Sequence, residues 1–350
     1  MFTFIILFCV ERLKCQRSIA SIYHILQGKR AAQTIQDANL YQLTGFFSIY
    51  SKLRRSQFDQ VTNQLLQSGW IAFDRNNYVY VTEVGKQFLI NHQGHFQIEY
   101  FDGVRYAKIV DVFIKRFSLT VQTYSNVVMD RRTFMTIVDD DAEKQWVKRH
   151  YQMAQNDLES FLVDLHESTK AFLKSIDHSS AQLFVDRLTG YQQVGLSVQQ
   201  LARKNNASEH DIKMMLTLTY HRFLQYIEDR RPPILLSFVN DQLSLVNQHF
   251  MTNSARKTYQ LMCKGLTIDD VVTVRQLKRS TIEDHVVEMA YALPELNIET
   301  YISDTEFNKI AKAIQLNDNR KLSLIKAYLN DEFNYFQIRL VMARYQIKVN

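Results

Sequence analysis

The sequence predicts a mainly α-helical protein with multiple helix-turn-helix modules, one winged helix with a small β-hairpin, and long connecting helices. Glycine and proline are scarce, with 9 and 3 among 350 residues, and turns between strands depend on both. Apolar residues recur at helical spacing along most of the chain, whereas strand-like alternation is confined to a short segment near residue 75. We expect three regions, covering residues 1–90, 91–250 and 251–350.

The first region, residues 1–90, begins with an apolar run from Phe2 to Val10. This run is about half as long as a membrane span requires. No basic residue precedes it and no small-residue cleavage site follows it, so we expect a buried first helix rather than a signal peptide. The expected location is cytoplasmic, with no membrane partner.

The same region ends in the pattern of a winged helix. An apolar stripe at i, i+3 and i+7 predicts a helix from Ser56 to Gln67, and Gly69 is expected to end it. The stripe consists of Phe58, Val61 and Leu65. The segments WIAFD and YVYVT then flank Arg75-Asn76-Asn77, which predicts a β-hairpin. Helix, helix and hairpin follow one another in winged-helix order.

Long helices are expected in the middle region, residues 91–250. One helix is predicted from Val104 to Val128. A second is predicted to begin at the run Asp139–Asp141 and to keep its apolar spacing to Ile176, a length of about 50 Å. Adjacent carboxylates point in different directions, so one of the three aspartates is expected to cap this helix rather than to bind a metal.

The middle region also holds a second helix-turn-helix candidate, near residues 196–225. Its first helix is expected around Leu201, and Ser208 is expected to cap the second helix. Two basic residues beside the turn are opposed by two acidic ones: Arg203, Lys204, Glu209 and Asp211. DNA contact and packing inside an interaction domain are both compatible with this pattern.

The last region, residues 251–350, holds the stretch GLTIDDVVTVRQLKRSTIEDHVVEM, from Gly265 to Met289, followed by a helical tail. The stretch predicts two short helices joined by a tight turn, with Ser280 or Thr281 capping the second. That second helix carries three acidic residues, Glu283, Asp284 and Glu288. Carboxylates suit the positive end of a helix, yet they repel phosphate. The tail predicts helices over residues 304–316, 321–329 and 335–347.

Candidate DNA contacts fall on two of these modules. On the winged helix, amides can pair with adenine edges, and basic residues can neutralise phosphates. These residues are Lys52, Arg54, Arg55, Gln57, Gln60, Asn63, Gln64 and Arg75. The last module adds Arg275, Lys278 and Arg279. A net charge of +6 permits nucleic-acid binding without establishing it, and winged helices also serve as protein docking modules.

No catalytic motif accompanies these modules. The sequence contains no GxxxxGK[ST], HExxH or GxSxG pattern, so the expectation is a protein that is not an enzyme. His92 and His95 lie in a short loop without acidic partners nearby, which is more often a solvated pair than a metal site. No cofactor, metal or small-molecule ligand is expected.

Two stretches resemble the helix-turn-helix domain at the carboxyl end of many RecQ-type helicases. They are TYQLMCKGLTIDDVVTVRQLKRSTIEDHV and KLSLIKAYLNDEFNYFQIRLVMA. Taken whole, and including ERLKCQRSIASIYHILQGKRAAQTIQDANLYQLTGFF, the chain is similar to the YpbB family of bacterial helix-turn-helix proteins. The resemblance implies a stand-alone protein whose gene lies beside that of a RecQ-type helicase. It also implies that the ATPase lies on a different chain.

The leading hypothesis is therefore a non-enzymatic DNA-binding accessory of a RecQ-type helicase in DNA repair or recombination. It would bind duplex or forked DNA with weak sequence preference. A transcription regulator is the first alternative, because GLTIDDV and STIEDHV also resemble the DNA-binding end of LuxR-type regulators. A protein-interaction adaptor that does not itself bind DNA is the second alternative, favoured by the acidic helix.

Overall fold

The computed structural model describes residues 1–131, 133–154, 157–243, 251–316 and 322–349. The chain forms two compact units. The first, here called the helical unit, comprises Met1–Phe2 and Gly94–Val246, and the second, the split unit, comprises Thr3–Gln93 and Asn247–Asn350. The first and last of the three regions expected from the sequence thus belong to the same unit, although the division into 1–90, 91–250 and 251–350 stays a prediction.

The described residues are mainly helical, with one two-stranded antiparallel sheet, which confirms the predicted fold class. The chain begins with α1 (Phe2–Arg12), α2 (Ala20–Gln27), α3 (Ala32–Leu40), α4 (Arg55–Gln67), β1 (Ile71–Phe73), β2 (Val79–Val81) and α5 (Glu83–Asn91). It continues with α6 (Gly103–Tyr106), α7 (Ile109–Val128), α8 (Asp141–Ala154), α9 (Leu158–Lys174), α10 (His178–Asp186), α11 (Val198–Lys204), α12 (Glu209–Arg230), α13 (Pro233–Leu236) and α14 (Asn240–Leu243). It ends with α15 (Asn253–Met262), α16 (Ile268–Arg275), α17 (Arg279–Ala292), α18 (Asp304–Leu316), α19 (Leu322–Tyr328) and α20 (Tyr335–Val349).

The amino-terminal elements of the split unit follow the predicted winged-helix order. Helix α1 is buried along most of its length, as predicted for the first apolar run. Helix α4 begins one residue before the predicted start, buries Phe58 and Leu65, and leaves Val61 half-buried. Gly69 follows the helix at φ +68°, a left-handed conformation that favours glycine. Strands β1 and β2 then pair with Ile71 opposite Val81.

Helix α17 occupies the centre of the carboxyl-terminal elements of the split unit. It packs against α15, α16 and α20, and also against α3 from the amino-terminal segment. Every residue from His285 to Ala290 is buried. Helix α3 packs against α20 as well, so two segments far apart in the sequence share one core.

The helical unit is built around aromatic side chains. Phe113, Phe117, Phe172, Phe184 and Phe223 are almost fully buried in one cluster. Phe172 and Phe223 stack with ring centroids 4.0 Å apart. Such residues supply large apolar areas to a core, as their helical spacing in the sequence indicates.

Two predicted long helices are interrupted. The predicted helix 104–128 is divided into α6 and α7 by a turn after Tyr106. The predicted helix 139–176 is divided into α8 and α9, because Asp157 leaves helical geometry and its carboxylate accepts the Ser160 amide at 3.3 Å. The apolar residues on both sides of each break still face a core, so their spacing does not reveal the break.

Two of the predicted helix caps are confirmed and one is wrong. Ser208 caps α12 by accepting the Asp211 amide at 3.0 Å, as predicted. Asp140, one of the three adjacent aspartates, accepts the Glu143 amide at the start of α8. Ser280 and Thr281 do not cap α17, because the extended backbone ends at Lys278 and both residues lie inside the first turn. The tail helices are confirmed, except that the predicted start at Lys321 lies outside the described residues.

Candidate nucleic-acid interface

The outer face of α4 is an open polar surface. Phe58, Thr62 and Leu65 bury the inner face, where the Phe58 ring lies 5.5 Å from that of Tyr23 in α2. The exposed face carries a row of amides at i, i+3, i+4 and i+7. These are Gln60, Asn63, Gln64 and Gln67, and none of them bonds to another described side chain. The row has the donors and acceptors to contact the edge of a base or a peptide.

Basic residues at the start of α4 differ in their pairing. Lys52 and Arg54 are exposed, and neither side chain pairs with a described residue. Arg55 is held by Asp59, with Nε 2.7 Å from Oδ1, and its guanidinium lies over the Tyr23 ring at 5.4 Å. Two cations are therefore available to phosphates at this end of the helix, whereas the charge of Arg55 is largely balanced.

Gln57 has a structural role that the sequence prediction did not include. Its Oε1 accepts the backbone N–H of Arg54 at 3.2 Å, which closes the first turn of α4. The side chain is half-buried, unlike the four amides of the exposed row. Its predicted contact with DNA stays a prediction, and it would require this capping bond to be shared or broken.

The hairpin presents Arg75 at its tip. The turn is held by Asp74, whose Oδ1 accepts the backbone N–H groups of Tyr78 at 2.7 Å and Asn76 at 2.9 Å. The Tyr78 hydrogen bond is the main reason that the pKa of Asp74 lies below its ordinary value. Arg75 is exposed and unpaired with any described residue, and Tyr80 is 40% exposed on the outer face of the sheet. The wing thus offers one cation and one aromatic ring.

The acidic residues of α17 are used inside the protein. Glu283 pairs with Arg279, with Oε1 3.2 Å from Nε, and Asp284 pairs with Arg339 of α20. Glu288 is 1% exposed and accepts hydrogen bonds from the backbone N–H and the hydroxyl of Thr252, the cap of α15. These carboxylates therefore stabilise the split unit and do not form an outward acidic face.

The buried position of Glu288 changes its protonation near neutral pH. Burial raises the pKa of its carboxyl to about 7, against the lowering effects of the Thr252 hydrogen bonds and of Arg30. A carboxyl with this pKa is partly protonated at neutral pH. The negative charge that α17 carries near neutral pH is consequently smaller than its sequence suggests.

The basic residues predicted for the last helix-turn-helix pair are mostly engaged. Arg275 donates to the Ser254 carbonyl at 2.7 Å and to the Thr258 hydroxyl at 2.6 Å. Arg279 pairs with Asp269 as well as with Glu283. Lys278 is exposed and has no partner among the described residues. Of these three predicted residues, Lys278 alone is available to a phosphate without breaking a contact among the described residues.

The second helices of the two later pairs do not have an open outer face. Helix α17 is covered by four other helices, and α12 is buried at regular intervals from Ile212 to Ile227. Within α12, His221 is 1% exposed and its Nδ1 accepts the backbone N–H of Asp102 at 3.0 Å. Among the three pairs, α4 alone presents a second helix whose polar face is free along several turns.

One concave feature of the split unit was missed at the sequence level. A cleft of about 500 Å³ is lined by residues of α3, α17, α19 and α20 and by the turn after α1. Its two guanidiniums are already paired, Arg17 with the buried Asp37 at 2.9 Å and Arg339 with Asp284. No sequence motif could indicate this cleft, because its lining comes from segments separated by more than two hundred residues.

Within the described residues, no group of three or more His, Cys, Asp or Glu side chains is arranged to hold a metal ion. Across the same part of the chain, no helix has both the length and the apolar character to cross a membrane.

Comparison with known proteins first defines a class. Residues 254–342 match a family described as a helix-turn-helix domain, a class of module that indicates DNA binding. This confirms the predicted module formed by α16 and α17. The chain is also 28% identical over 346 residues to Protein YpbB of Bacillus subtilis (strain 168), which covers 98% of this chain and 97% of that protein. No solved structure matches the chain.

Proposed function

We propose that this protein binds DNA, is not an enzyme, and acts as an accessory of a RecQ-type helicase in DNA repair or recombination. The proposal is supported first by the helix-turn-helix domain at residues 254–342. The observation that carries it is the open face of α4, where four amides lie beside the exposed Lys52 and Arg54. Helix α4 and the wing form the DNA-binding surface in this proposal, and the last helix-turn-helix pair adds Lys278.

The charge available on this surface sets the expected strength of binding. Lys52, Arg54 and Arg75 are exposed and unpaired with described residues. Neutralising about three phosphates gives a slope of log K against log salt near −3, since each phosphate contributes about −0.9. Binding is therefore expected to be moderate and salt-sensitive, with weak sequence preference and affinity in the micromolar range.

The helicase partner is supported by resemblance rather than by contacts. The stretches around GLTIDDV and STIEDHV are similar to the corresponding helicase domain, and the chain has no phosphate-binding loop of its own. A helicase supplies the ATPase that this chain lacks in the proposal, and the accessory holds duplex near a fork.

Fluorescence anisotropy with the full chain tests DNA binding. The probes are random duplex, forked and single-stranded DNA at two salt concentrations. We expect micromolar or tighter binding that favours the fork and weakens with salt, and a large loss in the Lys52→Ala/Arg54→Ala/Arg75→Ala variant. The matched control is Lys264→Ala, which removes an exposed charge from the turn between α15 and α16. No binding of the unchanged protein at low salt would refute the DNA-binding part.

A separate measurement tests the partner. Purified RecQ-type helicase from the same organism is titrated with the protein by calorimetry, with and without forked DNA. A saturable complex is expected, together with faster unwinding of the fork. If no complex forms under either condition, the accessory role is wrong even where DNA binding holds.

The burial of α12 and α17 favours the adaptor as the second candidate. Neither helix can lie along a major groove without unfolding its surroundings, so both pairs serve packing in that reading. An adaptor predicts a helicase complex without DNA binding by this chain. A transcription regulator instead predicts a preference of about 10³-fold or more for one operator, which a footprint on its own promoter at high salt would reveal.

A further inference from the structure

The amide row of α4 has the dimensions of a short reading surface. Gln60, Asn63, Gln64 and Gln67 span two helical turns, about 10 Å of axial rise. At about 3.4 Å per base step, this length corresponds to about three base pairs. All four side chains are exposed, and Gln57, one turn earlier, is excluded because it closes the first turn.

The surroundings of the row favour an anionic occupant. Between residues 52 and 80 the chain has four basic and two acidic residues. Both acids are engaged locally, Asp59 with Arg55 and Asp74 with the backbone of the hairpin turn. No unpaired carboxylate among the described residues of this segment therefore faces the row, whereas cations lie at its start and at the wing tip. These unpaired cations therefore favour an anionic partner such as nucleic acid over a protein surface that lacks acidic residues.

The chemistry of the row then selects one base. In the major groove adenine presents the N7 acceptor beside the N6 amino donor, and a primary amide matches this pair with one donor and one acceptor. Guanine presents two acceptors, O6 and N7, which suit arginine or lysine instead. The row itself contains amides and no cation; Arg55, one turn before Gln60, is paired with Asp59, and the unpaired Lys52 and Arg54 lie further towards the amino terminus.

We propose that α4 reads adenine in the major groove of duplex DNA through Gln60, Asn63, Gln64 and Gln67. This inference rests on the proposed DNA-binding function and adds its base preference. The cations Lys52, Arg54 and Arg75 bind the phosphates of the duplex, and the amides distinguish adenine from the other bases. One matched amide–adenine pair corresponds to a preference of at least about fivefold.

The test uses the full chain and three duplexes of equal length in anisotropy competition. The first has an A·T core, the second a G·C core, and the third an A·T core in which every adenine is 7-deazaadenine. The third duplex keeps Watson–Crick pairing and the minor groove but lacks the N7 acceptor. We expect the first duplex to bind at least about fivefold more tightly than either of the others.

Two variants separate reading from general binding. Gln60→Ala/Asn63→Ala/Gln64→Ala/Gln67→Ala should bind all three duplexes with equal affinity, and alanine favours the helix, so folding is preserved. Gln93→Ala, an exposed amide beyond α5, should keep the wild-type preference. Equal binding of the three duplexes by wild type, or an A·T preference that survives 7-deazaadenine or the fourfold variant, overturns adenine reading and leaves DNA binding intact. Absence of binding to every duplex refutes the proposed function itself.

Discussion

Replacing Glu288 by glutamine should make the split unit more stable at alkaline pH and leave it nearly unchanged at acidic pH. The side chain is buried against Thr252, and glutamine has the shape and hydrogen-bonding pattern of the protonated carboxyl. Burial is the main cause that raises the pKa of Glu288 to about 7 from its ordinary 4.5. The variant therefore fixes the side chain in the form that the fold prefers.

The sign and the size of this change in the free energy of unfolding follow from proton linkage. Below pH 4.5 the carboxyl is neutral in both the folded and the unfolded chain, so it costs nothing. Between pH 4.5 and 7 the unfolded chain loses the proton first, and the stabilisation present at low pH is lost as pH rises through the folded pKa. The difference between the two pKa values corresponds to about 3–4 kcal/mol at most, at about 1.4 kcal/mol per unit.

Urea unfolding followed by Trp70 fluorescence measures this effect. Trp70 lies in the split unit and Trp146 in the helical unit, so a Trp146→Phe background isolates the first signal. Glu288→Gln should raise the free energy of unfolding by about 2–3 kcal/mol at pH 8 and by little at pH 5. The matched control, Glu299→Gln, changes an exposed glutamate of the same unit and should have no such pH dependence.

The opposite result would refute this reasoning. If Glu288→Gln were more destabilised at pH 8 than at pH 5, the carboxylate charge would be stabilising, through Arg30. A difference that stays constant from pH 5 to pH 8 would mean that Glu288 does not titrate in this range. His285, whose pKa is lowered by burial to about 4, adds its own loss of stability as pH falls below 6.5, but this loss is the same in wild type and variant and cancels in the difference between them.

Three further predictions concern charge. Arg54→Ala should flatten the slope of log K against log salt by about 0.9, and Arg55→Ala by clearly less because Asp59 balances its charge; equal effects in anisotropy titrations would contradict this. Arg275→Ala should lower the free energy of unfolding of the split unit by about 2 kcal/mol and leave the salt slope unchanged, in parallel urea and anisotropy experiments. His221 has its pKa lowered by burial to about 3, so its contribution to stability is complete above pH 6.5 and is lost as pH falls; His221→Gln should reduce that loss in Trp146-monitored unfolding between pH 7 and 4.

Local patterns in the sequence predicted the elements that depend on near neighbours. The stripe around Phe58 and the glycine at position 69 placed α4 almost to the residue, and the hairpin followed from its turn. Periodicity failed where a break preserves the phase of the apolar face. Thus the turn after Tyr106 and the cap at Asp157 both divide a predicted helix without exposing its apolar residues.

Whether each candidate site residue is available to DNA depends on partners that are distant in the sequence. The sequence predicted Arg275 and Arg279 as phosphate ligands. In the structure, however, the Arg275 guanidinium donates to Ser254 and Thr258, and the Arg279 guanidinium pairs with Asp269. No local pattern indicates that a charged side chain has such a partner. Lys52 and Arg54 differ because they precede a helix whose outer face no described residue covers, and the apolar spacing within α4 did indicate that face.

The acidic residues of α17 and the open face of α4 are both explained by the packing of α17 at the centre of the split unit. Helix α17 packs against α3, α15, α16 and α20. Because its surroundings are occupied, its polar side chains need partners within the protein. Glu283, Asp284 and Glu288 each have a basic or hydroxyl partner. A helix held in this way cannot enter a groove along its length. It can support α3, the helix that precedes α4 in the winged helix. In the proposed function the last helix-turn-helix pair therefore acts mainly as a structural support that positions α4 for DNA binding.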